Sequence, residues 1–167
     1  MTTLTTPANR PKPKDPTPTF SSLAFEQIGR PDYAQVTLVP IPPGSRLTAR
    51  EWASEIFRVR ELPVPIRLLF AARQQLVRLL GMKPAAGDIF NVSLTSGCEA
   101  LINASERHLD FSAAIAVENG LLRVTTVVKL HGWRGRVYFA PVRLAHPLIT
   151  EAMMRAAVRR VHERRGR

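Results

Sequence analysis

A single cysteine, Cys98, stands among 167 residues. No intramolecular disulfide can form, which points to a reducing compartment. Aromatics are sparse at 7%, and 13 acids face 24 lysines and arginines. No uncharged apolar run approaches the ~18 residues of a membrane-spanning helix. No basic stretch followed by an apolar one marks a secretory signal. Glycine-rich phosphate loops and the G-x-S-x-G elbow are missing. The four histidines (His108, His131, His146 and His162) form no i, i+4 pair and have no cysteine pair beside them, which argues against a metal site. Cys98 has no recognisable catalytic context and reads as a structural thiol. The expectation is a soluble cytoplasmic protein with no metal and no cofactor.

What is present describes a globular chain. Apolar residues make up 45%, and the length suits one domain with its own core. The net charge is +11, and six arginines against Glu163 sit in residues 155–167. Such an end can attract phosphate polymers. It can equally be a solvated helix end complementing the helix dipole. Five prolines among threonines and lysines fill residues 1–18, a composition that cannot bury a core. Residues 1–30 are therefore expected as a flexible tail, with 21–30 as the join to the body, and 164–167 as a basic end beyond a domain of 31–163.

Within the body, "AQVTLVPI" (34–41) reads as a strand that ends or lies at an edge at Pro40. Thr48 and Glu51 form a capping box, flanked by Leu47 and Trp52 as a hydrophobic staple. A helix is expected from Ala49 to about Val59. A second is expected over 65–80, with Ile66, Leu69, Phe70, Leu76, Val77 and Leu80 on one stripe. Arg73 interrupts that stripe, either snorkelling to water or facing an internal carboxylate or ligand.

From residue 88 the period becomes two. Phe90, Val92 and Leu94 share one face. So do Leu109, Phe111, Ala113, Ile115 and Val117, and then Leu122, Val124, Thr126, Val128 and Leu130. "ENG" (118–120) is a hairpin turn. About four antiparallel strands follow the helix pair. Helical spacing returns in "GWRGRVYFAPVRLAHPLITEAMMRAAVRRV" (132–161). There Val137, Pro141, Leu144, Leu148, Ala152 and Ala156 form a stripe widened by Tyr138, Ala145, Ile149 and Met153. Pro141 and Pro147 are expected to kink or restart that helix.

Strand, helix pair, antiparallel meander and long final helix is the order of the helix-grip fold. The segments "DYAQVTLVPIPPG", "EWASEIF", "ARQQLVRLLGM", "ERHLDFSAAIAV" and "VTTVVKLHGWRGRVYFAPVRLAHPLI" resemble a bacterial, mainly actinobacterial, family of unknown function. That family is placed in the START-like superfamily of lipid carriers and polyketide cyclases. The resemblance spans about residues 32–155. It implies an α+β fold whose final helix closes a cavity over the concave sheet. Val137, Tyr138, Leu144, Leu148, Ile149 and Met153 would line that cavity; a filled core with the same stripe is the alternative. Similar proteins often carry an acid where Gln35 stands, and a phenylalanine where Ala145 stands.

The polar candidates are few. His108 and Asp110, two apart, are expected on one strand face beside Ser112, Ala114 and Ala116. Asp110 is a candidate partner for Arg73, and the pair could orient a polar head group. His146 either serves the pocket or faces solvent before Pro147. The expected ligand-binding set is Arg73, His108, Asp110, Tyr138, His146, Ile149 and Met153. The reading is a binder of a small apolar or amphipathic ligand. A cyclase, dehydratase or hydrolase using the same cavity is one alternative. A nucleic-acid-associated protein acting through the arginines is the other, although no aromatics interleave for stacking.

Overall fold

The computed structural model describes residues 21–58 and 92–166. Its clearest local signal is Asn119–Gly120. Both have positive φ, 50° and 76°, as a two-residue type I′ turn demands. The turn joins β4 (Leu109–Glu118) to β5 (Leu121–Leu130), in register from Glu118↔Leu121 to Leu109↔Leu130. β3 (Glu99–Glu106) pairs with β4, and β2 (Val92–Ser96) with β3. β1 (Tyr33–Pro40) pairs with β5 at the other edge. The result is an antiparallel five-stranded sheet in the order β1-β5-β4-β3-β2. Pro40 closes the edge strand, where its missing N–H costs least.

One face of this sheet is the inner face. It carries Ile102, Ile115, Leu122 and Val124 and packs against α2 (Ala49–Ile56) and the long α3 (Gly132–Arg165). Trp52, Ile56, Met153, Met154 and Ala157 interlock there. Each large side chain so buried contributes about 1.5–3 kcal/mol. The capping box starts α2 as expected: Glu51 Oε2 accepts from the Thr48 N–H at 2.7 Å, and Thr48 Oγ1 accepts from the Glu51 N–H at 3.3 Å. The helix ends at Ile56, earlier than the expected Val59, with the Phe57 N–H closing onto the Ala53 carbonyl. The arrangement is α+β and helix-grip-like, with a long final helix across the sheet. The helix expected over 65–80, Arg73 and Phe90 lie outside the described residues.

Four expectations are corrected. Residues 21–30, read as tail, contain α1 (Leu23–Gln27). It seats the fully buried Ala24 against Leu101, Ala114 and Val127 on the outer face. Val92 and Leu94 do not share a face. A bulge lies between them, so Val92 opposes Ile102 while Leu94 opposes Leu101, and one extra residue reverses every side chain beyond it. The final helix does not restart at its prolines. It runs unbroken from Gly132 to Arg165, with Pro141 and Pro147 both on its exposed side. Packing on either side of the prolines offsets the donors they remove.

The fourth correction concerns which face of α3 points inward. Val137, Leu144 and Leu148 are 51%, 74% and 71% exposed. The buried line is Gly135, Tyr138, Phe139, Thr150, Met153, Met154, Ala157 and Val161. Gly135 explains part of the choice. A Cβ at that position would lie 2.2 Å from the His108 carbonyl oxygen. Only glycine lets the helix come down onto the turn between β3 and β4.

Candidate functional site

On edge strand β1, Tyr33, Gln35 and Thr37 alternate with exposed residues and point toward α3 half-buried. They form a hydrogen-bonded ladder. The Tyr33 hydroxyl donates to Gln35 Oε1 at 2.5 Å, and Gln35 Nε2 donates to Thr37 Oγ1 at 2.7 Å. The helix meets this ladder with His146, whose Nδ1 lies 2.8 Å from Gln35 Oε1, and with Thr150, whose Oγ1 is 3.4 Å from the same nitrogen. The Tyr33 ring stands edge-on to both Phe139 (5.0 Å) and His146 (5.9 Å).

The protonation pattern follows from the partners. Gln35 Oε1 can only accept, so His146 Nδ1 carries the proton and Nε2 is left as an acceptor. Burial pushes the His146 imidazole down to about 4, so it is neutral at pH 7. Burial also lifts the Tyr33 phenol above its ordinary value, with nearby Arg143 pulling the other way. The seam is therefore polar but uncharged.

Its neighbours are apolar at both ends. Toward the start of α3 lies a cluster of Leu109, Val128, Tyr138 and Phe139. Toward the end lies the main core with Met153, against which Ile149 packs partly buried. Between them, the row Gln35–Thr126–Ala113–Ile102 crosses four strands. Gln35, Thr126 and Ala113 thus put small or polar side chains on the β1 side of this row, and Ile102 closes its far end in the core.

The expected site residues do not all converge. Tyr138, His146, Ile149 and Met153 lie along the inner side of α3. His108 and Asp110 do not form a strand pair. His108 belongs to the turn before β4, with its ring edge-on to Tyr138 at 5.2 Å and Nε2 3.3 Å from Glu106. Asp110 instead accepts from Ser105 Oγ at 2.5 Å and meets His131 Nε2 at 2.8 Å. Those contacts hold its carboxyl below the usual range, the Ser105 bond most of all. A strand beginning one residue later than expected separates the two.

Tyr33, Gln35, Thr37 and Thr150 were not singled out as a site. The signal available was the period-two spacing of three polar residues on an edge strand. Also unforeseen is a charged cluster on the outer face. Buried Arg123 pairs with Glu99 at 2.6 Å and Glu118 at 2.8 Å, and Glu99 Oε2 accepts the Leu23 N–H at 2.6 Å. This cluster locks α1 to the sheet.

Three of the arginines at the end of the chain are engaged with the body. Arg164 lies 2.6 Å from Glu55, Arg160 also contacts Glu55, and Arg165 donates to the Gly44 carbonyl at 2.6 Å. An open groove of about 440 Å³ lies here, lined by Arg46, Glu51, Glu55, Val161, Arg164 and Arg165. Glu55 is taken up by Arg164, Glu51 by the Thr48 cap and Arg165 by backbone carbonyls, so it is a weaker candidate than the β1–α3 seam. Among the described residues, no three His, Cys, Asp or Glu side chains gather as a metal site would require. No described helix is long and apolar enough to cross a membrane.

Residues 27–153 match the family described as "Protein of unknown function (DUF2867)". That is well over half of the chain, and the chain belongs to this family. No curated protein and no solved structure matches it.

Proposed function

We propose that this family member binds a small apolar or amphipathic molecule at the seam between β1 and α3, in the manner of START-like carriers. The observation that carries the reading is the uncharged ladder of Tyr33, Gln35, Thr37, His146 and Thr150, set between two apolar clusters. Pockets for such ligands combine apolar walls with a few fixed polar groups. Here His146 Nε2 would accept a hydrogen bond from the ligand's polar end, while Tyr138, Ile149 and Met153 face its apolar part. His108 and Asp110 are left out, because their partners hold them elsewhere.

An enzyme in the same seam would need a base titrating near the working pH. His146 at about 4 is neutral but weakly basic, which favours binding over proton abstraction. The engagement of Arg160, Arg164 and Arg165 with the protein itself weighs against a nucleic-acid role.

Native mass spectrometry of the purified chain, followed by identification of anything released, tests the reading. A retained small molecule is expected, and it should be lost in Gln35→Ala and His146→Ala variants that keep their circular dichroism. A bare mass, together with unmoved His146 resonances on titration with decanol and decanoate, sinks it.

A further inference from the structure

The outer side of α3 is unusual for a surface helix. Trp133, Val137, Pro141, Leu144 and Leu148 are all exposed. Spaced 4, 4, 3 and 4 apart, they fall on one helical face. At 1.5 Å per residue the ridge is about 22 Å long. Arg136 and Arg143 flank it on one side and Arg134 on the other, all exposed, with the Arg134 guanidinium over the Trp133 ring at 5.5 Å. No Asp or Glu occurs anywhere from Asn119 to Thr150.

We propose that this face of α3 docks onto an anionic lipid surface. An apolar ridge with an interfacial tryptophan and snorkelling arginines is the composition of a helix lying in a membrane interface. The ridge is convex, so it can insert among acyl chains, whereas a peptide partner would have to bring its own groove. A second copy fits poorly. An isologous pairing of this face would oppose arginines of like charge. A phosphate polymer would attract the arginines but leave the apolar ridge in water. The proposal goes beyond ligand binding and does not depend on it.

The molecule carries its own reporter. Of its two tryptophans, Trp52 is fully buried and Trp133 is 65% exposed, so changes in emission report on the ridge. The test uses the full chain with vesicles of equimolar phosphatidylglycerol and phosphatidylcholine, and with phosphatidylcholine alone. Co-sedimentation with the anionic vesicles is expected, with a blue shift and loss of iodide quenching that Trp133→Phe abolishes. Leu144→Ser/Leu148→Ser keeps the net charge and is expected to weaken binding about tenfold or more. Arg136→Ser/Arg143→Ser is expected to weaken it and flatten its salt dependence. Circular dichroism checks that each variant is folded.

Three results overturn the proposal. Vesicle binding untouched by the leucine pair, or without an emission change, would assign the attraction to basic residues elsewhere. Self-association abolished by the leucine pair would assign the ridge to a second copy. Trp133 already shielded from iodide in the free protein would mean that the chain covers the ridge itself.

Discussion

The sheet buries polar groups on both faces, and it treats them differently. On the outer face Arg123 is enclosed with Glu99 and the backbone of α1 and reaches the exposed Glu118 at the rim, and charge answers charge at 2.6–2.8 Å. On the inner face the ladder around Gln35 is neutral and only half-buried. A buried charge is tolerated only when it is paired, so Arg123 requires its carboxylates. A neutral network can leave one acceptor unused at modest cost. The first arrangement fastens a helix, and the second leaves the His146 Nε2 acceptor free for the guest proposed above.

The most damaging way to probe this contrast is Arg123→Met. It strands Glu99 in a buried position and is expected to cost about 3–5 kcal/mol in urea unfolding. Arg123→Met/Glu99→Leu should recover much of that loss. If the single variant costs under about 1 kcal/mol, the cluster behaves as an ordinary surface pair and the contrast fails.

A smaller effect is expected from Gly135→Ala. The added methyl meets a backbone carbonyl that cannot swing aside. About 1–3 kcal/mol of destabilisation is expected, with faster amide exchange in the first half of α3. Unchanged stability would mean that the helix does not rest on the β3–β4 turn as described.

The subtlest effect is in pH dependence. The folded state holds His146 neutral down to about pH 4, below its ordinary 6.5. Between those values the unfolded chain binds a proton that the folded chain refuses. This contribution to stability is therefore complete above about pH 6.5 and is lost as the pH falls toward 4. His146→Asn should remove that slope. Gln35→Glu places a carboxylate against Nδ1, and an upward shift of the His146 titration by NMR is expected. A titration that stays put would show that the two side chains do not meet.

Much of the fold could be read directly from the chain. The alternation in 109–130, the Asn119–Gly120 turn and the Thr48–Glu51 cap are local signals, and each formed as its residues dictate. The site was harder to read for a physical reason. Along α3 the outward residues Val137, Leu144 and Leu148 are more apolar than the inward Gly135, His146 and Thr150. A hydrophobic stripe therefore selects the wrong face. Close approach asked for glycine and the seam asked for polarity, neither of which periodicity scores. Gln35 and His146 are 111 positions apart, and no spacing rule joins residues that distant. Gln35 stood out only as a departure from the acid expected there.

The placement of β1 has a consequence for how the protein is made. Among the described residues β1 pairs with β5 alone, and the residues from Tyr33 to Val128 separate the two sides of that ladder. During synthesis, β1 waits for this partner until nearly a hundred further residues have left the ribosome. Such late, long-range closure is slow and leaves a strand open to wrong partners. The seam then needs α3 as well. A nascent chain, or one clipped before Thr150, would hold every described strand and yet lack the helical half of the seam.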